Sequence, residues 1–282
     1  MLNDKLLKRR DNIKLIVSDM DGTLFRSGKT VSPETVDIIN RVREKGIDFT
    51  VNTGRSYTWL GDFISYLGID CPLISSNGCE ITHGVTGERL YTAFLPTEYV
   101  ERCADFLNKH RLSWHIETTE GWILPDYIDN MDPFPGFYPD VELNGFGYDK
   151  VKKTSEVNYD DIIPLKIIIW VTYGNEGEIL GEMAKEMEGV DLLHTAGNIY
   201  ELLPVGANKG SAFLRLCDIM KISPLECCTL GDFDNDLPML EASGISVAML
   251  NAPDYVRDKA DIVTDTNNND GVAKALKMLF LD

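Results

Sequence analysis

Residues 14–24 read Lys-Leu-Ile-Val-Ser-Asp-Met-Asp-Gly-Thr-Leu. A short β-branched run stops at two aspartates and a glycine, the pattern of a buried strand that delivers its next residues to a loop. Asp19 and Asp21 are two positions apart, a spacing that points both side chains the same way if the backbone is extended. Two carboxylates brought together raise the electrostatic energy, and a divalent cation relieves it. Standing alone, the string is equally compatible with an ordinary acidic turn, so the rest of the chain must decide.

Outward from this stretch the chain alternates. Ser32 is set as an N-cap with Pro33 at the first helical position, and apolar spacing through Val36, Ile39 and Val42 predicts a helix ending near Gly46. The segment 47–55, IDFTVNTGR, reads as a second buried strand, a helix follows over 57–66, and PLISSNG from Pro72 reads as a third strand. Strands alternating with helices imply a doubly wound parallel sheet whose strand ends carry the ligand site. After about residue 85 the pattern changes: a helix over 97–109, the alternating arms SWHIET and GWILPD, a loop rich in Pro, Gly, Tyr and Phe over 132–148, the strand LKIIIWVTY, a helix over 177–188, and two strands joined through Gly197-Asn198. From Lys209 the first pattern resumes, with a helix to Met220, the strand ECCTL, a helix after Pro238, the strand SVAM, a short DIVT strand and a last helix. The reading is an α/β core made of residues 1–84 and 206–282, with an α+β domain inserted over 85–205.

A second acid cluster, Gly231-Asp232-Phe233-Asp234-Asn235-Asp236, follows the strand ECCTL. As a bland alternative, acids suit a helix's first turn. Two acid clusters at two strand ends of one parallel sheet can instead meet at one edge and form a hard-oxygen site suited to Mg²⁺. Thr53-Gly54-Arg55 ends the second strand and offers a hydroxyl and amides to an oxyanion, and Lys209 opens a helix with a positive charge. Each is weak alone; their order along the chain is informative, because all fall at ends of core elements and none falls in the insert.

This ordered set resembles the haloacid dehalogenase-like (HAD) hydrolase superfamily, and within it the Cof-type (subclass IIB) phosphatases. The resemblance rests on DMDGTL at 19–24, TGR at 53–55, SNG at 76–78, PVGANKG at 204–210, GDFDNDLPML at 231–240, and VAMLNA followed by DGVAKAL. Leu250 departs from the glycine common in relatives before Asn-Ala and removes no catalytic group. The resemblance implies a Rossmann-like core with an inserted α+β cap of the C2 type, and an aspartyl-phosphate mechanism. Asp19 is then the nucleophile and Asp21 the acid that protonates the leaving oxygen and later activates water. Mg²⁺ is held by the Asp19 and Asp232 carboxylates and the Asp21 backbone carbonyl, and Asp236 orients a metal water or Lys209. Thr53, Gly54, Arg55, Lys209 and Asn235 bind the transferring phosphoryl group or the substrate, and Asn77 ties loops together. The implied substrate is a small phosphorylated metabolite, with sugar phosphates the foremost class. The alternatives are a phosphomutase or phosphotransferase of the same superfamily and a non-catalytic phospholigand sensor.

Composition bounds the function. The 282 residues are 44% hydrophobic and 26% charged, a globular balance long enough for two domains. Twenty-seven basic against 45 acidic residues give a net charge of −18, which disfavours nucleic acid and anionic membrane surfaces as partners. No segment reads as an export signal or a membrane span, and six cysteines without a CxxC pair read as reduced thiols, together implying a cytoplasmic protein. In the insert, Trp122 and Tyr127 read as core, and the chain's four histidines, which lack metal spacing, read as structural or solvated. Glu201, near the insert's return, is the one insert carboxylate weighed for a place beside the leaving group.

Overall fold

The computed structural model describes residues 4–128, 150–171, 176–185, 187, 189–196 and 198–282. The loop expected over 132–148 and Gly197 of the expected hairpin turn lie outside the described residues. The chain runs α1 (Asp4–Arg10), β1 (Leu15–Ser18), α2 (Pro33–Arg43), β2 (Asp48–Val51), α3 (Tyr57–Tyr66), β3 (Pro72–Ser75), β4 (Glu80–His83) and β5 (Arg89–Thr92). Its middle supplies α4 (Thr97–Lys109), β6 (Ser113–Thr118), β7 (Trp122–Leu124), β8 (Val151–Lys153), β9 (Pro164–Trp170), α5 (Glu176–Lys185), β10 (Val190–Ala196) and β11 (Ile199–Pro204). The last part adds α6 (Lys209–Met220), β12 (Cys227–Gly231), α7 (Leu237–Ala242), β13 (Ile245–Ala248), α8 (Asp254–Arg257), β14 (Ile262–Val263) and α9 (Gly271–Leu276). Two compact units result: Met1–Gly54, Phe63–Leu90 and Asn208–Asp282 form the first, and Arg55–Asp62 with Tyr91–Ala207 the second.

The first unit is built on a parallel sheet in the order β14-β13-β12-β1-β2. β1 is buried along its whole length, as a central parallel strand covered on both faces must be, and its β-branched composition suits that place. Ser18 stands opposite Val51 on one side and Leu230 on the other, so the residues that follow β1, β2 and β12 emerge at one edge of the sheet. Helix α2 forms where its signals predict: the Ser32 hydroxyl accepts from the Thr35 amide at 3.1 Å, a cap worth about 1 kcal/mol. Its buried face is Thr35, Ile38, Ile39 and Val42, with Val36 only half-buried, and it packs on α9.

The third strand differs from its sequence reading. PLISSNG is a strand only to Ser75; Ser76 and Asn77 take left-handed backbone angles (φ 52° and 54°), and the chain reverses into β4. β3, β4 and β5 form a three-stranded sheet of their own, linked to β2 by a single parallel bridge between Asn52 and Ile74. β4 was hidden because it opens on Glu80, whose buried carboxylate is paired with Arg89 at 3.1 Å.

The second unit is a six-stranded sheet in the order β10-β11-β9-β6-β7-β8. Trp114, Ile116, Ile167, Ile169 and Leu202 pack with Val100, Cys103 and Leu107 of α4 and with Leu180 and Met183 of α5. Strand alternation puts His115, Glu117, Lys166 and Glu201 on the opposite face, all of them buried. His115 lies 5.0 Å from the Trp122 ring and 5.1 Å from the Trp170 ring, while Glu201 accepts from Lys166 at 3.0 Å. Trp122 is core as expected, whereas Tyr127 is 40% exposed and uses its hydroxyl to donate to the Leu112 carbonyl. All six cysteines are buried and unbridged.

Candidate active site

The site is assembled from the loops that leave the first unit's sheet. Asp19 follows β1, and its amide donates to the Leu230 carbonyl at 2.9 Å, which locks it beside the end of β12. Lys209 is the first residue of α6. Its N-cap Asn208 accepts from the Ser211 amide, and the Asn52 amide group donates to the Lys209 carbonyl, so the base of the side chain is fixed from two directions. The Lys209 ammonium, 2% exposed, donates to Asp19 Oδ1 at 2.5 Å and to Asp236 Oδ1 at 2.6 Å. The other Asp236 oxygen accepts from the amides of Asp232 at 2.9 Å and Phe233 at 3.1 Å. Asp236 thus closes the GDFDND loop on itself while aiming Lys209 at Asp19.

Asp232 follows β12 and is held by groups that carried no role in the sequence reading. Thr23 donates its hydroxyl to Asp232 Oδ1 at 2.8 Å, and the Asn251 amide group reaches both the Gly22 carbonyl at 2.9 Å and Asp232 Oδ2 at 3.4 Å. Both residues stood inside quoted motifs, DMDGTL and VAMLNA; their hydroxyl and amide are the signal, legible only once the loops are known to meet. Gly22 has φ +84°, and a Cβ there would lie 2.3 Å from Asp232 Oδ2. Only glycine lets the first acid loop pass this close to the second.

Asp21 does not join the carboxylate group. Its Oδ1 accepts from the Lys29 ammonium at 2.5 Å. Thr53 is buried, with its amide donating to Ile74 O and its carbonyl accepting from the Asn77 amide, and Asn235 donates to Asn77 Oδ1 at 3.2 Å. Asn77 therefore links the loop after β2 to the GDFDND loop, and a Cβ on Gly54 would meet its side chain at 3.1 Å. Arg55 belongs to the second unit, where its guanidinium stacks 3.5 Å above the Trp59 ring.

Electrostatics explain what the cluster can hold. Burial, above all, pushes the Asp19 carboxyl well above its usual range; Lys209 opposes the rise, and Asp236 and Asp232 add to it. Burial and then Asp236 push Asp232 up to about 7, against the pull of Thr23 and Lys209. Burial works against the Lys209 charge, yet Asp19 and Asp236 carry its pKa above the usual lysine value. Three carboxylates share one ammonium, and ligand oxygens of Asp19, Asp232 and Asp236 all lie within 4.8 Å of one another. Hard oxygens with excess negative charge fit a small divalent cation, whose charge restores the ionised carboxylates.

Carboxylates and a lysine gathered at the carboxyl edge of a parallel sheet define an α/β enzyme equipped to handle a small anion. The family model for haloacid dehalogenase-like hydrolases matches residues 16–276. Over 273 residues the chain is 29% identical to the 5-amino-6-(5-phospho-D-ribitylamino)uracil phosphatase YcsE of Bacillus subtilis, covering 96% of this chain and 98% of that one. It is 32% identical to the HMP-PP phosphatase of Citrobacter koseri, covering 85% of each. A haloacid dehalogenase-like hydrolase from Bacteroides thetaiotaomicron superposes with a TM-score of 0.82 at 27% identity, over 95% of this chain and 100% of that one. The chain belongs to the haloacid dehalogenase-like hydrolases, to their Cof-type phosphatases, and is an enzyme acting on phosphate esters.

Proposed function

We propose that the chain is a Mg²⁺-dependent phosphatase that hydrolyses a small phosphorylated metabolite, with sugar phosphates the leading class, through an aspartyl phosphate on Asp19. The observation that carries this reading is the buried Asp19, held 2.5 Å from Lys209 at the sheet edge beside Asp232. An Asp19 oxygen attacks phosphorus, the P–O ester bond breaks, and the leaving oxygen takes a proton from the Asp21 carboxyl. Water then attacks phosphorus, gives its proton to the Asp21 carboxylate, and the Asp19–phosphorus bond breaks. Lys209 and the Thr53 hydroxyl bind phosphoryl oxygens, with Gly54, Arg55 and Asn235 completing the substrate's polar contacts. Mg²⁺, held by Asp19, Asp232 and the Asp21 carbonyl, neutralises phosphoryl charge when bound.

The substrate class is supported by the two relatives above, each named for a small phosphorylated molecule. Residues 1–84 and 206–282 are proposed as the core domain and 85–205 as the cap that sets the leaving group. The proposed location is cytoplasmic; among the described residues no helix is long and apolar enough to cross a membrane. The test is phosphate release from p-nitrophenyl phosphate with and without Mg²⁺, by the wild type and by Asp19→Asn. Saturable, Mg²⁺-dependent turnover that Asp19→Asn abolishes is expected. Binding without turnover supports a phospholigand sensor instead, and phosphoryl return to a second sugar hydroxyl a phosphomutase.

A further inference from the structure

Each of the paired aspartates has its own lysine. Lys209 serves Asp19, while the ammonium of Lys29 lies 2.5 Å from Asp21 Oδ1. Lys29 lies eight positions after Asp21, and the intervening chain is folded back to bring them together. The Phe25 amide donates to Met20 O at 2.7 Å, residues 21 and 25 form a bridge, and a tight turn follows in which Arg26 N bonds Thr30 O at 3.0 Å and Lys29 N bonds Arg26 O at 2.8 Å. Lys29 itself takes a left-handed backbone angle, φ +56°.

This turn is pinned from outside. The Asn267 amide group donates to the Phe25 carbonyl at 2.8 Å, Ser27 and Asn268 exchange two bonds of 2.9 Å, and Arg26 grips both oxygens of Asp270. A loop 240 residues further along the chain therefore fixes where Lys29 stands. A long, flexible lysine on a free surface turn would spend little time on one carboxylate oxygen; here the turn is anchored at three consecutive residues, and the Lys29 ammonium meets Asp21 Oδ1.

Resting on the phosphatase reading above, we propose that Lys29 is the positioning residue for the Asp21 carboxyl, holding it where it gives a proton to the leaving oxygen and takes one from the attacking water. A misplaced proton donor harms substrates in proportion to their need for it. An alkoxide leaving from an alkyl phosphate must be protonated as the P–O bond breaks, whereas p-nitrophenolate departs as the anion. Lys29 meets Asp21 at the side-chain Oδ1, whereas the metal role proposed above falls on the Asp21 carbonyl.

The test is single-turnover kinetics with enzyme in excess, which isolates phosphoryl transfer to Asp19, on an alkyl phosphate substrate and on p-nitrophenyl phosphate. Lys29→Gly removes the ammonium and suits the left-handed backbone, so the turn survives. It is expected to slow transfer from the alkyl phosphate about 10- to 100-fold and to leave nitrophenolate release within about twofold. Its apparent Mg²⁺ requirement stays that of the wild type, and Lys29→Arg restores most of the alkyl rate. Equal slowing of both substrates, or of neither, overturns the proposal, as does arginine performing no better than glycine. Failure of the underlying reading is distinguishable, because it shows in the wild type as absence of Asp19-dependent phosphate release.

Discussion

Carboxylate oxygens of Asp19 and half-buried Asp232 lie within 4.8 Å of each other, whereas the Asp21 carboxylate meets Lys29, and the two situations predict different losses. Asp232→Asn removes a formal charge from the metal's surroundings, so its apparent Mg²⁺ requirement is expected to rise about tenfold or more. Asp21→Asn is expected to bind Mg²⁺ as the wild type does and to turn over slowly at any Mg²⁺ concentration. Calorimetric Mg²⁺ titration of both variants checks this; equal weakening contradicts the ligand assignment. His115 supplies a second prediction of this scale. Burial, with Lys166 assisting, lowers its pKa from 6.5 to about 3. The folded protein then binds fewer protons than the unfolded chain between those values, so stability is full above about 6.5 and falls as pH drops. His115→Phe keeps a ring between Trp122 and Trp170 without the proton site. Between pH 6.5 and 5 the wild type is expected to lose about 2 kcal/mol more than the variant, read from denaturant melts. Parallel pH profiles for the two would contradict it. Charged and hydroxyl residues at strand ends were legible in the sequence because chemistry restricts their type. Lys29, Thr23 and Asn251 were not, since a lysine in a polar turn reads as solvated until the turn's partners 240 residues away are known.

Strands β1, β2 and β12 could be read from their apolar runs because a parallel strand covered on both faces tolerates little else. β4 could not, because its first residue is a buried glutamate neutralised by an arginine from β5, a pairing without local signature. Glycines carry equal information at this level. Gly22→Ala places a Cβ against the Asp232 carboxylate and forces a side chain into the left-handed region, at about 1–2 kcal/mol for the backbone alone. Activity is expected to fall about 100-fold at saturating Mg²⁺ with a melting temperature only a few degrees lower. Retention of wild-type activity would mean that the close approach of the two loops has no functional weight.

Every residue given a chemical role except Arg55 lies in the first compact unit, although that unit is drawn from three stretches of chain. A change of pattern was legible, because the repeating strand–helix order breaks and then resumes at Lys209. That Arg55–Asp62 packs with the second unit was not, since a helix after a core strand reads as core. Replacing 85–205 by a short flexible linker is expected to give a folded core that binds Mg²⁺ but ranks phosphate esters poorly. Trp59 is then the one tryptophan left of four, and its emission should shift to the red because its compact unit has been removed. A core that keeps the full protein's substrate ranking would show that the insert does not set specificity.

The central claim is that phosphorus is transferred to Asp19. In Asp21→Asn the base for the second step is missing, while p-nitrophenolate still leaves p-nitrophenyl phosphate without a proton, so the phosphoenzyme should accumulate. Mass spectrometry of this variant, acid-quenched after reaction with p-nitrophenyl phosphate and Mg²⁺, measures it directly. The account predicts one phosphoryl group, located on the peptide containing Asp19 and absent from the Asp19→Asn/Asp21→Asn double variant. Nitrophenolate released in the first turnover with no phosphoryl group on that peptide, or with one on another residue, would contradict it.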